Sequence, residues 1–133
     1  MPQYSEILLD HFQHPRNLGE LDTANAIGDS SNTTCGDLMR LFLNIKNGTV
    51  TEAQFMTLGC AAAIATGSML TEMIKGKPLE QVLKISNAEV AAALGGLPAE
   101  KIHCSVLAEQ ALAAAVKNWK QHPNGKTKGK SGK

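Results

Sequence analysis

From Met39 onward the apolar residues Met39, Leu41, Leu43 and Ile45 alternate with Arg40, Phe42, Asn44 and Lys46, the period of a strand half-buried on one face. Asn47-Gly48 follows and supplies the positive-φ pair that a tight hairpin needs, so a second strand is expected over about Thr49 to Thr57. Ile27 to Asn32 reads as a third strand, and together they predict an antiparallel meander. Beyond Gly59 the period lengthens: Ala61 to Lys75 is rich in Ala, Ile, Leu and Met, Gly76 stops it, and Pro78 restarts a short helix over Leu79 to Lys84. Ser86 with Glu89 forms a capping box that opens a helix ending at Gly95-Gly96. From about Ile102, Leu107, Ala111, Ala115 and Trp119, flanked by Leu112 and Val116, mark a long helix with a narrow apolar face. Near the start, Ser5 caps a short docking helix over Glu6 to Phe12, with Ile7, Leu8 and His11 on related faces and Pro15 ending it. Strands first and helices afterwards predict an α+β fold, a three-stranded antiparallel sheet with helices packed on one face.

The 133 residues suffice for one core. Aromatic residues make up only 4% of a chain that is 43% hydrophobic, so Ala, Leu, Ile, Val and Met must fill the interior. Net charge is +1, but six Lys fall in residues 117 to 133 with no acid, which leaves the body with seven Lys plus Arg against twelve Asp plus Glu. We read residues 1 to 120 as the domain and 121 to 133 as a disordered, solubilising lysine-rich tail. It lacks aromatics for base stacking, which argues against nucleic acid as a partner. No run of apolar residues is long enough for a membrane span, and the polar start MPQYSE does not have the layout of a signal peptide. A cytoplasmic location is the expectation.

In a reducing compartment three cysteines, an odd number with no CxxC spacing, stay as thiols. A lone free Cys is ordinarily a small buried hydrophobe. These three instead sit at element boundaries, which are surface positions. Cys35 precedes Gly36-Asp37, Cys60 lies between Gly59 and three alanines, and Cys104 follows His103, so flexible backbone or a second donor is always at hand. Small flanking residues leave room for a bound species. A helix start lowers a thiol's pKa, so Cys104 is expected to be reactive if exposed. Three thiolates with a His or Asp suit zinc or iron chemistry. The spacing alone goes no further than a metal or persulfide site made by three loops.

Four segments carry more: YSEILLDHFQHPRNLGELD (4 to 22), TTCGDLM (33 to 39), FMTLGCAAAIATGSMLTEMIKGK (55 to 77) and LPAEKIHCSVLAEQAL (97 to 112). In this order they closely resemble the iron-sulfur cluster assembly scaffold family of the IscU or NifU N-terminal type, over residues 4 to about 120. The resemblance implies a scaffold or carrier rather than an enzyme. It places cluster ligands at Cys35, Cys60 and Cys104, with Asp37 and His103 as auxiliary ligands. It further implies a cysteine desulfurase as sulfur donor, Cys104 or Cys35 as persulfide acceptor, and a [2Fe-2S] cluster built from iron and that sulfur and passed to apo iron-sulfur acceptor proteins. The protein would act as a monomer or a cluster-bridged dimer. The uninterrupted interval from Cys60 to Cys104, with His103 present, looks like the IscU type rather than the zinc-binding SufU type. A zinc-dependent sulfur acceptor that activates a desulfurase is the alternative, and zinc in purified protein fits either reading.

Asp37 also reads as a turn residue after Gly36, and His103 as a helix-end cap. His11, His14 and His122 have no cysteine neighbour and read as structural or solvated. The family often carries LPPVK before its last cysteine as an Hsp70 recognition peptide. Here Leu97-Pro98-Ala99-Glu100-Lys101 loses a proline and gains a charge, which argues against that partner. GKT at 125 to 127 and GKS at 129 to 131 lack the earlier glycine of a phosphate-binding loop.

Overall fold

A computed structural model of the chain describes residues 4–32 and 36–121. Its sheet is the expected meander, with β1 (Ala26–Asn32), β2 (Asp37–Lys46) and β3 (Thr49–Leu58) in the order β1-β2-β3, every pair antiparallel. Asn47 and Gly48 take φ of 53° and 75°, the backbone twist that joins two strands without splaying them. Around the sheet lie α1 (Glu6–Gln13), α2 (Ala61–Ile74), α3 (Leu79–Val82), α4 (Asn87–Ala93) and α5 (Ile102–Gln121), the last preceded by a 3-10 turn at Ala99–Lys101. Both predicted caps form: Ser5 accepts from the Leu8 N–H, and Ser86 and Glu89 make the reciprocal box. The lysine-rich tail, read from the sequence as disordered, lies outside the described residues from position 122.

Met39, Leu41, Leu43 and Ile45 point into the core with Val50, Ala53 and Phe55, against Ala65, Leu70 and Ile74 of α2 and Leu107, Ala111 and Ala115 of α5. Helices cover that one face, as expected. Two expectations need correction. Leu8 of α1 has no exposed surface and belongs to the main core, so α1 is an integral layer on α2 rather than an appended docking helix. Phe42 and Asn44 are buried as well, so β2 is not half-buried. The irregular segment before β1 folds over the second face, where Ala24 and Leu21 pack with Ile27 and Phe42. Asn25 stitches it down, donating through Nδ2 to the Ile45 carbonyl at 2.8 Å and accepting from the Ile45 N–H at 2.8 Å.

The position of α5 fixes the functional end of the molecule. Ile27 N–H donates to Asn118 Oδ1 at 3.1 Å, and Ser30 Oγ donates to the Leu107 carbonyl at 2.7 Å. The helix therefore lies along β1 with its start near the strand's end. Asn32 pairs with Asp37 and Leu38 with Leu58, so the starts of β2, α2 and α5 gather at one corner. The close approach depends on Gly28, where a Cβ would lie 2.2 Å from the Ala115 nitrogen and 2.4 Å from the Ala111 carbonyl oxygen. Backbone cannot give way as a flexible side chain can.

Gly28→Ala is expected to lift α5 off β1 and cost about 3 kcal/mol, whereas Ser86→Ala, losing only a helix cap, costs about 1 kcal/mol. Urea unfolding checks the order. Equal midpoints for the two variants would contradict this packing.

Candidate metal centre

Asp37 is the first residue of β2, and although it follows a glycine at φ +79° it is not a turn residue: its side chain is turned inward and buried. Gly59 makes this possible. A Cβ there would stand 3.0 Å from the Asp37 Cγ and 2.9 Å from the Ala63 Cβ. The room left by the small residue is thus filled by the carboxylate, not held open for a ligand. Cys60 is the N-cap of α2 and half-buried. Cys104, in the first turn of α5, has no exposed surface and packs with Ala62 and Ala63, with Tyr4 and Leu97 around them. The reading of all three cysteines as surface residues is therefore corrected for Cys104, because α5 docks its first turn onto α2.

These side chains converge. Ligand atoms of Asp37, His103 and Cys104 lie within 4.8 Å of one another. His103 Nε2 is 3.9 Å from Asp37 Oδ2, so the ring faces the carboxylate rather than capping the helix. Cys104 Sγ lies 4.0 Å from Asp37 Oδ2 and 3.9 Å from Cys60 Sγ. Soft sulfur, borderline imidazole and hard carboxylate donors thus share one corner, a set able to hold zinc or iron. Cys35 lies outside the described residues.

The two described thiols differ in opposite senses. Burial pushes Cys104 up to about 12, with the neighbouring charge of Cys60 and then the Asp37 carboxylate adding to it. The expectation that the helix start lowers its pKa fails, since lost hydration outweighs the helix dipole in a closed pocket. For Cys60 burial also acts upward, but the backbone N–H groups of Ala63 and Ala62, the Cys104 thiol and the Lys101 ammonium outweigh it and bring the pKa down. Cys60 makes no side-chain capping hydrogen bond, and the first-turn N–H groups favour its thiolate as aligned dipoles.

Lys101 escaped sequence reasoning. Its Nζ is 3.6 Å from Cys60 Sγ, although the two residues stand 41 positions apart and no local pattern connects them. Tyr4 was missed too; burial raises its pKa, and the charges of Lys101, Cys60 and Cys104 act on it. The remaining histidines behave as expected where they are described. His11 Nδ1 lies 2.7 Å from Ser68 Oγ, which also accepts from the Arg16 N–H. His14 is exposed, and His122 lies outside the described residues.

The family described as NifU-like N terminal domain matches residues 3–126. Over 116 residues the chain is 50% identical to the iron-sulfur cluster assembly scaffold protein IscU 1 of Archaeoglobus fulgidus, covering 87% of this chain and 76% of that one. It is 48% identical over 122 residues to the nitrogen fixation protein NifU of Azotobacter chroococcum, covering 90% of this chain and 40% of that longer protein. The fold matches the crystal structure of a nitrogen-fixing NifU-like protein (N-terminal) from Brucella abortus with a TM-score of 0.70 at 15% identity, covering 89% of this chain and 94% of that one.

Alkylation with iodoacetamide at pH 8, mapped by mass spectrometry on metal-free folded protein, is expected to modify Cys60 ahead of Cys104 and to spare Cys104. Cys104 labelling ahead of Cys60 would overturn the assigned environments. The thermodynamic sign follows: the folded-state pKa of Cys104 is raised, so its contribution to stability is complete below its ordinary 9.0 and is lost as pH rises toward about 12.

Proposed function

Because this chain belongs to the NifU-like N-terminal domain family, we propose that it is a scaffold on which iron-sulfur clusters are assembled and from which they are passed to acceptor proteins. The observation that carries the reading is the convergence of Asp37, His103 and Cys104 within 4.8 Å, with Cys60 beside Cys104. Sulfurs suit iron and sulfide, while a carboxylate or imidazole binds iron less tenaciously than a thiolate would. A cargo held partly by such donors is surrendered more readily than one held by four thiolates. The scaffold names carried by the relatives support the same conclusion.

The finer assignments form part of this proposal. Cys35, Cys60 and Cys104 are the thiolate ligands, with Asp37 and His103 competing for the remaining position, and the cargo is a [2Fe-2S] cluster. A cysteine desulfurase supplies sulfur as a persulfide on Cys104 or Cys35, and apo iron-sulfur proteins receive the product. In this reading the protein works as a carrier rather than a catalyst, in the cytoplasm. Zinc found on the same donors in protein purified in air would fit this reading as well. An Hsp70 partner stays unsupported. Pro98 leads into the 3-10 turn of Ala99–Lys101, Leu97 packs beside the site and Lys101 is turned to Cys60, which is not an extended peptide free for capture.

Anaerobic incubation of metal-stripped protein with ferrous iron and sulfide, followed by visible absorption, circular dichroism and iron and sulfide quantitation, tests the reading. Wild-type chain should accumulate cluster, and Cys60→Ser and Cys104→Ser should each lose most of it. Asp37→Cys, which adds a thiolate, is expected to keep its cluster and release it roughly ten-fold more slowly. Undiminished cluster in both serine variants would defeat the proposal.

A further inference from the structure

We propose that Lys101 is a positioning residue for sulfur delivery: it holds incoming sulfane sulfur at Cys60, the more accessible thiol of the pair, from which the sulfur is relayed across the gap to buried Cys104. The inference rests on the scaffold reading and specifies how sulfur reaches the site. It begins from an inequality in access. Cys104 has no exposed surface, so a bulky donor cannot meet its sulfur while the corner is closed. Cys60 is half-buried at the mouth, and the two sulfurs are 3.9 Å apart. In an in-line transfer the moving sulfur is bonded to one thiol at about 2 Å while the other closes on it, so the two thiols must already stand close to van der Waals contact. The gap already has that size.

Lys101 supplies the charge. Its ammonium lies 3.6 Å from Cys60 Sγ, delivered by the 3-10 turn Ala99–Lys101 immediately before α5. Among the described side chains that touch the two thiols it is the only one with a fixed positive charge: Asp37 Oδ2 lies on the Cys104 side at 4.0 Å. Cation at the mouth and anion at the back set a direction. In the first step the Cys60 thiolate attacks the outer sulfur of a donor persulfide, R–S–SH. A new S–S bond forms, the donor's S–S bond breaks, and R–S⁻ departs. In the second step the Cys104 sulfur attacks the outer sulfur of Cys60–S–SH, its proton released to solvent. Cys60 leaves as a thiolate beside Lys101, and Cys104–S–SH remains. The sulfane sulfur keeps its oxidation level throughout, so no oxidant or reductant is required. Cys104 is thereby reached as a persulfide acceptor without its pocket having to admit a donor protein.

An inorganic polysulfide, offered to metal-free protein, provides the test because no protein donor's docking then selects the cysteine. Persulfide position is mapped against time by quenched alkylation and mass spectrometry. Cys60 should be modified first and Cys104 afterwards, Cys104→Ser should hold the sulfur on Cys60, and Cys60→Ser should leave Cys104 almost unmodified. Lys101→Ala should lower the initial rate at Cys60 about five-fold, Lys101→Arg should restore it, and both should melt at the wild-type temperature. Unchanged Cys104 modification in Cys60→Ser, first modification at Cys35, or an unaffected rate in Lys101→Ala would overturn the relay. Cluster formation from ferrous iron and free sulfide bypasses persulfide, so it separates the two ideas. Cluster without the predicted order of modification removes the relay alone, and the predicted order without any cluster removes the scaffold reading.

Discussion

Everything at the functional end depends on how closely α5 lies against β1. With Gly28 beneath it, the helix meets the strand backbone to backbone, and the hydrogen bonds from Ser30 and Ile27 fix its register. That register brings Cys104 to the level of Asp37 and Cys60. If the helix stood a side chain's thickness away, Cys104 would reach neither. A packing constraint in the middle of the molecule thus determines the donor geometry at its end.

The corner is electrostatically unequal to its surroundings. A carboxylate, an imidazole and two sulfurs sit among Ala62, Ala63, Tyr4 and Leu97. Desolvation keeps Cys104 protonated, while Lys101 and the start of α2 favour the thiolate at Cys60. A cation arriving here replaces protons on the ligands and removes the repulsion between sulfur and carboxylate, so cargo binding is coupled to pH and to the stability of this corner. The same coupling makes release possible, since protons and solvent can take back what the cargo leaves.

Much of the fold was legible because its signals are local. The strand signal of β2, the Asn47-Gly48 pair, and the Ser86 and Glu89 box each act within a few residues, and each element forms where it was read. The burial of Phe42 and Asn44 was not legible, because the segment that covers them, including Ala24 and Asn25, has no period to betray it. At the site, residue types and the resemblance named Asp37, Cys60, His103 and Cys104, and the structure brings these together. Which thiol is open depends on the docking of α5 onto α2, a relation between distant segments. Lys101 beside Cys60 and the space that Gly59 leaves for Asp37 are of the same kind.

The scaffold account stands or falls on whether cargo leaves intact. Cluster assembled on this protein, mixed with an apo-ferredoxin in the presence of a ferrous chelator and followed by circular dichroism, gives the most direct answer. The account predicts that the ferredoxin signal grows as the donor signal falls, with the chelator taking little iron. Iron captured by the chelator while the ferredoxin stays apo would contradict it, because the protein would then be a metal store and not a place where clusters are made for others.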